Sequence, residues 1–389
     1  MKNIGTGRLG RFRFGFWRTL LVMIAGCSLA MLPAACSKGT NGPSNKVKIA
    51  YLGLTCEAPI FVAYENGYLK EEGLEVEMIK TDWDGLREGL GSGNFDANHT
   101  LVMYLLKPIE QGMDVKITAG VHTGCLRVQT GINSSIKSVK DLKGKTIGVP
   151  THLGSPPFLF ASRVLSANGI DPRPDGGDVK WLAFPPDVIG KALQDGRIDA
   201  LATSDPIGTI LLGKGIVKTI ADQAEDAPYK DEYCCAVVVS GRLGRENPAA
   251  AAKVTRAILK AAKWVQENPT AAANMAVEKK YIAASAEINA QALSKLKYIP
   301  GIARCRQSID DAAKEMKSAG LLKPGTDPEA LTKRAWLELE GVNDEWVRNL
   351  TVEHVAGGGR PRLLPPAEFV ALFELKNDCA CCNRCCIDR

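Results

Sequence analysis

Twelve cysteines and four histidines carry most of the chemistry available to this chain of 389 residues. Five of the thiols close it as CACCNRCC, at Cys379, Cys381, Cys382, Cys385 and Cys386. The CxxC spacings Cys379/Cys382 and Cys382/Cys385 are common half-sites for a tetrahedral soft metal, and equally serve as redox dithiols. Five thiols cannot all pair among themselves, and a GGGRPR break (357–362) separates the tail from any core it could staple. The expectation is a tethered scavenger that binds a soft metal ion through thiolates. A tail that cycles through disulfides with a redox partner is the alternative. Further thiols stand at Cys56 in LTCEAP, Cys125 in VHTGC, and Cys234 and Cys235 in DEYCCAVVV, with His99, His122 and His152 in nearby segments. A single buried cysteine is ordinarily a small hydrophobe, and a single histidine a satisfied hydrogen-bonder. Thiols and imidazoles recurring together point instead to a soft, thiophilic ligand.

The compartment decides how those thiols behave. Lys2, Arg8, Arg11, Arg13 and Arg18, with no acid among them, precede an apolar run from Leu20 to Leu32. That pattern is a signal peptide, too short for a permanent span. The PAACSK segment that follows resembles a bacterial lipoprotein signal, which implies lipidation at Cys36, with IAGC at Cys27 as a second candidate. The expected location is extracytoplasmic, anchored to the membrane. Of 49 Lys and Arg, five lie in this leader, leaving 44 against 43 acidic residues. The pI of 8.6 is therefore a property of the leader and gives no support to nucleic-acid binding.

From Val47 onward, short β-branched runs alternate with helical stretches. VKIAYL, LEVEMIK, VKITAGV, KTIGVP, VKWLAF, ALATSD and CCAVVVS read as strands, and APIFVAYENGYLKEEG (58–73) as a helix. Strands separated by 10–20 helical residues imply βαβ units and a parallel sheet. After Ser240 the chain turns to long Ala/Lys-rich helices. Crossings near Thr123–Val128 and near Tyr233–Ser240 would join two lobes. In open α/β sheets ligands lie off the carboxyl ends of the strands. The loops so placed are 54–59, 97–101, 121–125, 150–157 and 203–206. They offer Cys56, Glu57, Asn98, His99, Thr123, Gly124, Cys125, His152, Gly154, Ser155 and Asp205 as ligand contacts, with Tyr233 and Cys234 at the second crossing. Ser155 ahead of Pro156 and Pro157 also reads as a helix N-cap and an anion site.

YLGLTCEAPIFVAYENGYLKEEGLEVEMIK, DLKGKTIGVP and the GRIDA step of ALQDGRIDALATSDP resemble the periplasmic substrate-binding proteins of the nitrate/sulfonate/taurine/thiamine-precursor class, in order over roughly residues 46 to 340. The resemblance implies an α/β, bilobed, type II periplasmic-binding-protein clamshell. It further implies delivery of a small ligand to the permease and ATPase of an ABC importer. The boundaries expected are a leader over 1–35, a linker over 36–46 and a first lobe over 47–125. A second lobe follows over 126–234, a helical return over 235–345 and a Cys-rich appendage over 346–389. The TCEAP and GCLRV loops with the Cys-rich end are similar to the substrate-binding member of the selenocysteine-assisted organometal system, which implies thiol contacts at Cys56 and Cys125.

Three functions then compete. The first is a binding protein for a metal- or organometal-containing species. The second is an ordinary sulfonate, nitrate or thiamine-precursor binder. The third is a thiamine-pyrimidine-synthase-like enzyme with a Cys-rich metal motif. The export leader and the position of the tail motif weigh against the third. HExxH, Walker and GxSxG motifs are absent from the sequence, so no enzyme activity is expected.

Overall fold

The structure is a computed structural model describing residues 44–353, so Cys36 and the five tail cysteines lie outside the described residues. The first lobe opens with β1 (Lys46–Tyr51), α1 (Ala58–Glu65), α2 (Tyr68–Glu71), β2 (Glu75–Lys80), α3 (Trp83–Ser92), β3 (Ala97–Leu101), α4 (Val102–Glu110) and β4 (Val115–Thr123). The second holds β5 (Leu126–Gly131), β6 (Thr146–Pro150), α5 (Pro156–Ala167), β7 (Lys180–Phe184), α6 (Ile189–Gln194), β8 (Ala200–Ser204), α7 (Ile207–Gly213) and β9 (Val217–Asp222). The chain then returns through β10 (Tyr233–Ser240), α8 (Gly241–Glu246), α9 (Pro248–Glu267), α10 (Pro269–Glu278), α11 (Ala286–Lys295), α12 (Ala303–Ser318), α13 (Pro328–Ala335) and α14 (Asp344–Asn349).

Each lobe is built on a five-stranded sheet, ordered β2-β1-β3-β10-β4 and β7-β6-β8-β5-β9. The sheets are mixed rather than wholly parallel. In each, the antiparallel member is the strand that enters from the other lobe: β5 between β8 and β9, β10 between β3 and β4. The return crossing therefore occupies residues 223–232, upstream of the expected Tyr233–Ser240. That segment is instead a fully buried central strand of the first sheet.

Three strands escape the sequence pattern. ANHTL, expected as a loop, is β3, buried at all five positions; LRVQTG and VKTIAD are β5 and β9. A strand covered on both faces shows no alternation, and β3 and β5 carry buried polar residues that break an apolar run as well. The single helix expected over 58–73 divides at Gly67 (φ +79°), which starts α2.

The two crossings touch. Gly124 adopts φ +73°, and a Cβ there would stand 2.6 Å from that of Ala224. Only glycine combines that backbone with so close an approach. The lobes also meet where α5 packs on α4 and α12, and α7 on α11. Arg163 of α5 spans this junction, donating to Glu315 of α12 at 2.9 Å and to Glu232 of the return crossing at 2.8 Å.

Candidate functional site

Four buried thiols and two imidazoles are carried by the 3-10 turn after β1, β3, β4, the first crossing and β10. Cys56 sits in a single 3-10 turn, Thr55–Glu57, just after β1. His99 lies on β3, His122 near the end of β4, and Cys125 one residue beyond Gly124 at the crossing. Cys234 and Cys235 follow Tyr233 at the start of β10. Consecutive strand residues normally face opposite sides of a sheet. Here the β10–β4 register shifts on both sides of Cys235, and such a bulge re-aims a side chain. Both thiols consequently turn to Cys125, with their sulfurs 3.9 Å apart.

Two sets of ligand atoms form, each mutually within 4.8 Å: Cys56, His122 and Cys235, and Cys125, Cys234 and Cys235. All four cysteines are buried and free. Hydrogen bonds from Cys234, Cys235 and Cys56 hold the Cys125 thiol well below the usual range. Its bond to Cys125 pushes Cys56 up, and burial with the same partner raises Cys234 and Cys235. Burial pushes His99 and His122 down, and His122 adds to the effect on His99. Their rings meet edge to face at 5.2 Å. The Tyr298 ring lies tilted against His122, centroids 5.0 Å apart, and its hydroxyl donates to the Cys56 carbonyl at 3.2 Å. Cys305, on α12, is buried outside both sets.

Buried polar atoms with no partner lie on the same strands, β3 and β4: Asn98 Oδ1, both ring nitrogens of His99, Thr100 Oγ1, His122 Nε2 and Thr123 Oγ1, while Ser155 Oγ and Asp205 Oδ2 of the second lobe also lack one. Buried polar groups are nearly always hydrogen-bonded, so a cluster of orphans at a lobe junction marks where a ligand's contacts belong.

The remaining expected contacts take other roles. Glu57 accepts from the amides of Leu52, Gly53 and Leu54 at 2.8–3.0 Å; burial pushes its carboxyl up to about 7 against the pull of those amides. Asp205 is already engaged, through Arg127 at 2.8 Å and the Thr209 hydroxyl at 2.7 Å. Burial disfavours the charge on Arg127, but Asp205 and Asp222 outweigh it and raise its pKa. Tyr233 fills the space over Gly120 and donates to the Ile299 carbonyl at 2.6 Å, away from the thiols. His152 is half-buried, its Nδ1 3.1 Å from Thr151 Oγ1, and it is not brought to the cluster.

Gly154 adopts φ +102° ahead of α5, and Ser155 occupies the N-cap position without making a side-chain cap. Pro156 and Pro157 lack N–H groups, and the Ser155 and Leu159 amides donate to His152 and Ser155 carbonyls. The helix start thus offers an anion at most the Phe158 amide, a poor version of the expected anion site.

Sequence reasoning missed Cys235 as a contact separate from Cys234, because a bulge leaves no signature in the residues. It also missed Tyr298 and Arg127, which no local motif announces.

Comparison with known proteins places this geometry in a family. The nitrate/nitrite binding protein NrtA of Nostoc sp. PCC 7120 is 27% identical over 297 residues, 69% of this chain and 66% of that protein. The chain thus spans just under two thirds of that relative's length. A putative aliphatic sulfonates-binding protein of Bacillus subtilis is 25% identical over 66% of this chain and 74% of its own. Among solved structures, the alkanesulfonate-binding protein SsuA of Xanthomonas axonopodis pv. citri, bound to MOPS, superposes with a TM-score of 0.62 at 18% identity, over 76% of this chain and 99% of that one. The fold is the bilobed type II fold of periplasmic binding proteins. Residues 40–279 match the NMT1-like family, and the chain belongs to it.

Proposed function

We propose that the protein is an extracytoplasmic solute-binding protein of an ABC importer, lipid-anchored at Cys36, whose cleft holds a thiophilic soft metal cation or its organic derivative. The convergence of four buried thiols and the His122 imidazole carries this reading. Thiolates select soft cations, and neutral imidazole completes such donor sets. The named relatives bind nitrate, nitrite or sulfonates, yet here the two buried arginines do not fit an anion. Arg127 is neutralised by Asp205 and Asp222, and Arg163 by Glu232 and Glu315. A permease and an ATPase are the implied partners, the CACCNRCC tail is a thiol store exchanging with the cleft, and no catalytic step is assigned.

The test uses full-length protein with the five tail cysteines replaced by serine, reduced and anaerobic. Thermal unfolding is followed with phenylmercury or Cu(I), and with nitrate, taurine and a thiamine precursor. A ligand at a hundred times its Kd stabilises by about 2.7 kcal/mol. The thiophile is expected to stabilise the parent and to lose that effect in Cys56→Ser/Cys125→Ser. Stabilisation by an organic or inorganic anion alone overturns the reading in favour of an ordinary anion cleft.

A further inference from the structure

Two features of the cluster bear on how many ions it takes. The first is that its donors divide into two sets that share one sulfur. Cys56, His122 and Cys235 are mutually close, as are Cys125, Cys234 and Cys235, but the four sulfurs do not form one mutually close tetrad among the described residues. A single tetrahedral tetrathiolate ion would require that tetrad. Two sulfurs on one ion at the usual metal–sulfur length of about 2.3 Å stand roughly 3.8–4.0 Å apart. The Cys234–Cys235 separation is 3.9 Å. Each set therefore closes on an ion with a contraction of at most about 1 Å between sulfurs and about 1.3 Å between sulfur and nitrogen.

The second feature is the tautomer of His122. Its Nδ1 lies 3.4 Å from the Thr123 carbonyl, which can only accept, so the ring proton belongs on Nδ1. The lone pair is then left on Nε2, which is buried and without a partner. A second-atom contact of this kind is how proteins orient metal-ligating imidazoles.

We propose that the cleft holds a pair of soft metal ions, one on Cys56, His122 and Cys235 and one on Cys125, Cys234 and Cys235, with the Cys235 thiolate bridging them. This rests on the thiol-cleft reading and goes beyond it in nuclearity and in the role of each ligand. On binding, each ligating thiol loses its proton to solvent as the metal–sulfur bond forms, with no change of oxidation state. The β10 bulge is what makes the bridge available: without it Cys234 and Cys235 would face opposite sides of the sheet, and only one could reach Cys125.

The probe is Cu(I). In the full-length chain, Cys27, Cys36 and the five tail cysteines are replaced by serine, so that Cys305 is the sole thiol outside the cluster. Cu(I) is titrated anaerobically against a chromophoric Cu(I) chelator, and metal per chain is measured after gel filtration. Two ions per chain are expected, falling to one in Cys56→Ser and to one in Cys234→Ser, while Cys235→Ala weakens both. His122→Gln probes the first set should Cys56→Ser fail to fold, and only variants whose metal-free unfolding matches the parent's are compared. One ion in the parent, or both lost together in each single variant, overturns the pair while leaving the thiol cleft standing. No ion bound overturns both.

Discussion

Arg127 and Asp205 show how a buried charge is tolerated in the second lobe. The guanidinium reaches Asp205 at 2.8 Å and Asp222 at 3.0 Å, with both Arg127 and Asp205 almost wholly shielded from water. Removing one member of such a pair strands the other, which costs about 3–5 kcal/mol, whereas removing both is far milder. Arg127→Met is therefore expected to lower the urea-unfolding free energy by about 3–5 kcal/mol, and Arg127→Met/Asp205→Asn to recover most of that loss. Equal loss in the two variants would show that Asp205 is not held by Arg127. Asp205 was readable in TSDP as a polar group at a strand end; its partner was not, because Arg127 is 78 residues distant. The thiols divide in the same way. Cys56 and Cys125 stand in loops whose position follows from the α/β rhythm, while the approach of Cys235 depends on a register shift that sequence does not encode locally.

Among the elements, the crossings decide the most. Gly124 combines a left-handed backbone with contact against Ala224. The left-handed region costs a non-glycine residue roughly 1–2 kcal/mol, and a methyl at 2.6 Å from another must displace the second crossing. Gly124→Ala should destabilise by more than that backbone term, and adding Ala224→Gly should return the contact part but not the backbone part. Denaturant unfolding of the single and double variants separates the two; no recovery in the double variant would mean that the crossings do not bear on each other. The helices and parallel strands were legible from period and turn residues. β3 and β5 were not, since strands buried on both faces lose the alternation that marks a strand against solvent; β9 is a half-buried edge strand whose Lys218, Thr219 and Asp222 break any apolar run.

For the whole molecule, the order of segments over residues 46–340 and the two-lobe plan were both readable by resemblance. What could not be read was how the lobes meet, because that depends on contacts between distant segments. Arg163 is the main one: it lies on α5 of the second lobe and binds Glu315 and Glu232, with Met103 Sδ 3.2 Å from its Nη1. Arg163→Met keeps the bulk and removes those bonds. It is expected to shift the protein toward an open form, with a larger radius of gyration in X-ray scattering and faster labelling of Cys234 by a thiol reagent. An unchanged radius and labelling rate would assign closure to the apolar contacts of α5 instead.

The position of Gly124 has a consequence for handover. In a rotation, displacement grows with distance from the pivot. Cys125 is the residue after that pivot, and Cys234 and Cys235 directly follow the other crossing. Ser155 and Asp205, carried by the second lobe, travel with it. When the lobes part, the sulfurs stay assembled while the outer polar groups leave. On the thiol-cleft reading proposed above, prying the protein open would not by itself free the cargo. The acceptor would then have to bring sulfur or nitrogen donors of its own and take the cargo by ligand exchange.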